Sequence, residues 1–379
     1  MTTVTPRPAS SFVEQSGVVV QSNRPQYANN KWQQPLIAAG FRHIRGKLGS
    51  NKADVQWMKP IIDKGIKICT TIVATSGGTL DKAKAKANIA AIDTLWGGTK
   101  NVIAAEGPNE FNNTGSRPAN WAAIERDFIE WMWKEIRSRP SLAQLLVAGP
   151  SIWKRILADY KALGNIDPFV NRNTLHWYTD TKRPTNGNTT LDQGIVNVGI
   201  LSSKQILVTE CGVPNKNPPR IQSKYAARVL FELLRRPKIE RAYLFEMSDV
   251  DPSPKWGLLD GNFQPRMHYY TIKNLLALYA DSGAPNVAPF ELDITAPSTA
   301  LLGHMIHRRS DGRALISLGR DVDAKDADIA PASVNLDFGK QVSARLHLPT
   351  FSTAPKDLGS ASGFTVPVTD QLAVVEVQL

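Results

Sequence analysis

Two glutamates frame the chemistry that this chain could perform. Glu110 closes the run NVIAAEGPNE, and Glu210 ends the apolar stretch of QILVTECGV. Neither lies in a run of charges, so neither reads as part of a solvated face. A carboxyl that delivers a proton and a carboxylate that attacks carbon are the two groups that an acid-assisted displacement needs. Either residue alone would most often be a helix N-terminal charge or a surface group. Their shared setting, with Asn109 beside Glu110, joins them. Other polar residues end similar runs: Gln21 and Asn23 at GVVVQ, Arg45 and Lys47 in FRHIRGKLG, and His176, Tyr178 and Asp180 in TLHWYTD. Glu246, Ser248 and Asp249 end RAYLFEMSD, and Trp256 lies on the loop beyond.

The elements that must position these groups alternate regularly. From Val18 to about Ala280, short β-rich runs are followed by helical patterns. The helices are expected from about Asn30 to Ala39, over DVQWMKPIIDKG, from about Leu80 to Trp96, and from Pro118 to about Arg137. WKRILADYKALG, LDQGIVNVGIL, SKYAARVLFELLRR and MHYYTIKNLLALYA continue the series. The strand runs are mostly continuous in apolar residues, as in a parallel sheet covered by helices. Eight strand-helix pairs in about 265 residues suit a (β/α)8 TIM barrel, whose typical length is about 250. A doubly wound open sheet is the alternative, but no G-x-G-x-x-G turn follows the first strand and no P-loop occurs.

In such a barrel the functional groups gather at the C-terminal ends of the strands. Glu110 and Glu210 then end strands 4 and 7 and face each other across the mouth. Paired carboxylates across a sugar-sized gap are the machinery of glycoside hydrolysis, and a gap of about 5–5.5 Å gives retention. After Pro285 the pattern changes to short β runs, with SDG and DFGK as turn signals. The expected fold class is therefore α/β: residues 1–16 an N-terminal extension, 17–284 the catalytic (β/α)8 barrel, and 285–379 a C-terminal all-β sandwich.

Composition narrows the function classes. Of 379 residues, 42% are hydrophobic and 21% charged, which excludes a disordered chain. No stretch of 18 apolar residues exists, so no membrane partner is expected. Cys69 and Cys211 sit in apolar runs and read as buried thiols. MTTVTPRPASSF lacks the layout of a secretory signal, so the expected location is cytoplasmic, or extracellular or virion-associated by another route. The six histidines show no H-E-x-x-H run, and His304 and His307 fall on opposite strand faces. No metal and no cofactor are expected.

The net charge of +11 is uneven. Residues 286–379 carry eight Lys/Arg and eleven Asp/Glu, while the remainder carries 37 against 23, a net of +14. Such a field attracts polyanions. Nucleic-acid signatures are absent, so no nucleic-acid partner is expected. An acidic polysaccharide and simple solvation of helix faces are the two remaining readings.

AAEGPNEF, TLHWYTD and ILVTECGV, in that order, resemble clan A of the glycoside hydrolases, which are retaining enzymes on (β/α)8 barrels. The appended sandwich and the GPNE run are similar to family 39, with family 5 as the other pattern. The resemblance covers essentially the whole chain. It implies that Glu110 is the acid/base, with a raised pKa, and that Glu210 is the ionised nucleophile. It implies that Asn109 binds the sugar 2-hydroxyl and that Arg45 keeps Glu210 ionised, a barrel-mouth salt bridge being the structural alternative. Tyr178 would bond Glu210, and His176 would orient Glu110 or the sugar. Trp256 would stack on the sugar or else anchor its loop.

Three departures leave the sugar open: FNNTGS after Asn-Glu, Gln21 after strand 1, and the acidic end of strand 8. Glu106, on the same strand as Glu110, is read as an inner-layer residue without a catalytic role. The expected activity is endo-acting cleavage of a polysaccharide, such as an acidic bacterial exopolysaccharide, with Lys182 and Arg183 near its uronic acids. An exo-acting glycosidase and a non-catalytic carbohydrate-binding protein are the alternatives. Oligomeric state is open.

Overall fold

Eight of the apolar runs pair side by side into a single parallel sheet. The computed structural model describes residues 1–379 apart from 23, 50–51, 73–74, 77–78, 114–116, 180–182, 215–216 and 250–255. Asn23, Asp180 and Lys182 lie outside the described residues. Strands 1 to 8 of the sheet are Ser16–Val20, His43–Gly46, Lys67–Thr71, Val102–Glu106, Leu146–Ala148, Asn173–Tyr178, Ile206–Gly212 and Ile239–Leu244. Strands 1 to 5 pair in sequence order, as do strands 6 to 8, and strand 8 pairs with strand 1. Strands 5 and 6 close the barrel through a parallel bridge between Ala148 and Arg172. The architecture is the expected (β/α)8 barrel with an all-β sandwich.

Inside the barrel, Val19, Cys69, Ala104, Ala148, Leu207 and Tyr243 form a small apolar layer of their own. Tyr243 is the one large side chain there, and Gly17 makes room for it: a Cβ at Gly17 would lie 2.4 Å from the Tyr243 ring. Burial pushes the Cys69 thiol up to about 12 and raises that of Cys211 too, so both are inert. The larger core lies between sheet and helices, with Trp32, Trp96, Tyr160 and Phe128 among its fully buried members.

Local backbone chemistry moves several expected boundaries. The helix after strand 1 starts at Gln33 rather than Asn30, because Asn30 is left-handed (φ 60°) and ends a short 3-10 turn. Pro118 precedes its helix, its carbonyl accepting the N–H of Trp121 at the helix start. The segment WKRILADYKALG is not one helix. Lys154 and Arg155 are left-handed, and the helix proper is Leu157–Leu163.

The sandwich differs from its sequence reading in two ways. First, the turn expected at DFGK is absent. One strand runs from Ala332 to His347 through it, with a register shift between Asp337 and Val342. Gly339 (φ 63°) supplies a bulge, its N–H bonded to Asp337, so the strand bends instead of reversing. Its two halves take different partners, Asp293–Thr295 on one and Ala373–Gln378 on the other. Second, residues 1–16 do more than extend the chain. Thr3–Val4 pairs with Phe290–Glu291, Arg7–Pro8 pairs with His307–Arg308, and the helix Ala9–Gln15 leads into strand 1. The run TVTPRP has too few apolar residues to announce a strand.

The helix Pro219–Leu234 is sheathed on both sides, which explains its nearly continuous burial. Its Lys224 and the sandwich's Asp370 are both fully buried and bonded at 3.1 Å. The Lys224 ammonium also donates to the carbonyls of Lys325 and Ala327, at 2.8 and 3.2 Å. Arg228 reaches the carbonyls of Arg320 and Val322 in the same interface. Removing one partner of a buried ion pair strands the other charge. Lys224→Met should therefore lower stability by about 3–5 kcal/mol, read by chemical denaturation.

Glu125, on the helix Trp121–Arg137, is buried, and among the described residues neither carboxyl oxygen has a hydrogen-bond partner. Burial, and then the charge of Asp159, hold its pKa well above the ordinary glutamate range. The folded protein keeps a proton that the unfolded chain releases, so stability is full at low pH and falls as pH rises above the ordinary range. Glu125→Gln should change the melting temperature little at pH 4 and raise it at pH 8.

Candidate active site

The C-terminal ends of strands 2, 4, 6 and 7 bring six of the seven expected site residues into one group of hydrogen bonds and ion pairs. Arg45 is its hub. The guanidinium donates to Glu210 Oε1 at 2.5 Å, to Asn109 Oδ1 at 2.6 Å, and to both oxygens of Glu106 at 2.7 and 3.1 Å. Burial opposes its charge, but the carboxylates of Glu106 and Glu210 outweigh that and raise its pKa.

Glu210 accepts a second bond, from the Tyr178 hydroxyl to Oε2 at 2.6 Å. Burial alone would raise its pKa. His176, Arg45 and the Tyr178 bond reverse that and hold the carboxyl below the usual range. Tyr178 is pushed well above the usual tyrosine range by burial and by Glu210, so it stays a donor. His176 Nδ1 lies 2.8 Å from Glu110 Oε1 and 3.4 Å from Glu210 Oε2. Burial disfavours the imidazolium, but Glu210 and Glu110 prevail and raise the ring's pKa. One ligand atom from each of Glu110, His176 and Glu210 lies within 4.8 Å of the others.

This trio is also the group among the described residues that could hold a metal ion. The guanidinium 2.5 Å from Glu210 already neutralises that carboxylate and makes the cradle a poor one for a second cation.

Glu110 reaches this position through a left-handed backbone (φ 47°), uncommon outside glycine. Its N–H bonds to the Ser151 carbonyl at the end of strand 5, and its own carbonyl accepts from Asn113. Asn112 then ties the loops after strands 4 and 5, bonding Asp159 at 2.8 Å and accepting from the Trp153 N–H at 2.8 Å. The FNNTGS departure thus contains the residue that holds Glu110's turn in place.

Trp256 stands beside the group rather than in it. Its ring meets Tyr178 edge-on, centroids 4.9 Å apart, and also contacts Phe245. Asp249 holds Trp256 by accepting the N–H groups of Trp256 and Gly257, and it pairs with Arg266. Gln21 donates to Glu246 at 2.6 Å across the junction of strands 8 and 1. Arg183, expected to face substrate, pairs with Asp321 of the sandwich at 2.9 Å.

Glu106 is the residue that sequence reasoning underrated. It is fully buried beneath Arg45 and fixes the guanidinium through two bonds. A carboxylate further inward on strand 4 was the available signal, since an inner layer seldom holds an unpaired charge. Glu106→Gln leaves Glu110 and Glu210 in place but loosens Arg45. The expected result is a fall in kcat of about 10²-fold on any substrate turned over, with the folded circular dichroism spectrum retained.

No family model matches the chain, and no curated relative does either. Solved structures do match. A family 39 glycoside hydrolase from Bacteroides cellulosilyticus WH2 aligns with a TM-score of 0.62 at 13% identity, over 98% of this chain and 81% of that one. A monomeric beta-xylosidase from Caulobacter crescentus CB15 gives 0.61 at 14%, over 99% and 97%. A family 2 beta-galacturonidase from Eisenbergiella tayi, bound to galacturonate, gives 0.54 at 15%, over 69% and 51%. Two of these likenesses run through barrel and sandwich alike, so the chain shares with those structures the fold of a (β/α)8 barrel with an appended β-sandwich.

Proposed function

We propose that the protein is a retaining glycoside hydrolase, with Glu210 as nucleophile and Glu110 as acid/base. The observation that carries this reading is the unequal setting of two carboxyls whose ligand atoms approach within 4.8 Å. That is far closer than the roughly 6.5–9.5 Å that an inverting pair needs to admit water. Glu210 is held ionised by Arg45 and Tyr178. Glu110 Oε1 lies 2.8 Å from His176 Nδ1, a contact that orients its carboxyl toward the position of the leaving oxygen.

In the first step Glu210 attacks the anomeric carbon, the bond from that carbon to the leaving oxygen breaks, and Glu110 protonates that oxygen. In the second, Glu110 takes a proton from water, the water oxygen bonds the anomeric carbon, and the ester to Glu210 breaks. Asn109, its carbonyl held by Arg45, keeps its amide N–H groups for the 2-hydroxyl. Residues 17–284 carry this chemistry, and residues 285–379 brace it. No cofactor is required by these steps.

The finer reading is endo-action on an acidic polysaccharide, supported by the basic barrel. Exo-action is the second reading, favoured by the likeness to a beta-xylosidase. Product sizes early in digestion separate them: mixed oligomers for endo-action, a single small sugar for exo-action.

The roles themselves are tested with aryl glycosides. Glu110→Ala should lose about 10²–10⁴-fold on poor leaving groups, far less on acidic phenols, and should be rescued by azide as a glycosyl azide of retained configuration. Glu210→Ala should show no such pattern, and the wild type's first product should keep the substrate's anomeric configuration by NMR. Inversion, or equal activity in both variants, would sink the proposal.

A further inference from the structure

Lys47 remains unexplained once the reacting groups are placed. It lies one residue past the end of strand 2, two residues after Arg45 and so at the C-terminal face of the barrel. Arg45 points to the barrel mouth, where it meets Glu210. The Lys47 carbonyl accepts the Ser22 hydroxyl at 2.5 Å, which fixes this point against the loop after strand 1.

The side chain is half-buried, and among the described residues its ammonium makes no hydrogen bond or ion pair. The charges that act on it are those of Arg24, Arg45 and Lys84, all positive, and together with burial they lower its pKa. Arg24 has a neutral partner, Gln21 Oε1, at 3.3 Å. Other lysines on the barrel do find carboxylates: Lys59 bonds Asp63 and Lys82 bonds Asp127, each at 2.7 Å. A half-buried cation among like charges is held in an unfavourable field. An arriving anion would relieve it.

We propose that Lys47, flanked by Arg24 and Lys84, is a subsite for an anionic substituent of the glycan, a uronate carboxylate or a sulfate ester. The proposal rests on the glycosidase reading of Glu110 and Glu210 and names the substrate class of that site. Lysine suits the role because its compact ammonium presents three donors to an oxyanion. Arg183, on the basic loop after strand 6, is not available for it, since it pairs with Asp321.

The test uses the full chain and two substrate pairs: a glucuronate-containing polysaccharide with its carboxyl-reduced form, and a neutral polysaccharide before and after sulfation. Wild type should prefer one charged form over its neutral counterpart by about 10-fold or more in kcat/KM, and the pair that shows the preference identifies the anion. Lys47→Met should erase that ratio, and Lys47→Arg should keep most of it. An unchanged ratio in Lys47→Met overturns the subsite. Binding is read separately, by affinity electrophoresis of Glu210→Gln in the same polymers. Retardation by the charged polymer that disappears in Glu210→Gln/Lys47→Met supports the subsite even where wild type shows no turnover, an outcome that would count against the glycosidase reading alone. Equal retardation with and without Lys47 overturns the subsite.

Discussion

A guanidinium buried inside the barrel, flanked by Glu106 and Glu210, is the constraint on which the site depends. Arg45 has lost its water, so its charge survives only because two carboxylates and an amide carbonyl surround it. The same removal of water strengthens each of those contacts. Its planar fork has fixed directions, so the bonds it makes also fix where strands 4 and 7 place their ends. Glu210 stays ionised because Arg45 faces one oxygen and Tyr178 the other. Asn109 is oriented because Arg45 holds its carbonyl.

Around this hub the backbone is strained, and neighbouring contacts hold the strain in place. Glu110, Lys154 and Arg155 are all left-handed without being glycine. Such residues cost on the order of 1–3 kcal/mol each and persist where the surroundings over-determine them. Ser151 and Asn112 hold the turn at Glu110. Arg155 donates to the carbonyls of His176 and Tyr178 and so locks the loop after strand 5 onto strand 6. The sandwich joins in from outside, since Asp321 holds Arg183 and Thr185 of the loop after strand 6. The β-sandwich is thus linked to the loop after strand 6 as well as to the helix Pro219–Leu234.

Most of the barrel was legible in the chain because its signals are local. Continuous apolar runs mark strands buried on both faces, and helical periods between them mark the covering layer. The polar residues ending those runs, Arg45, Asn109, Glu110, His176, Tyr178 and Glu210, could be read as neighbours once eight units were counted. The bent strand Ala332–His347 was not legible, because a glycine after an aspartate serves a bulge and a reversal equally well. The N-terminal strands were not legible either, since their partners lie about 290 residues away in sequence.

The sequence by itself determined which residues could reach the barrel mouth, because strand order and period are written locally. Only the tertiary structure decided what each one does there. Glu106 became the support of Arg45, Arg183 the partner of Asp321, and Lys47 a cation among like charges. The reason is that a charge's role depends on which charges surround it and how little water does, and both are set by contacts distant in sequence.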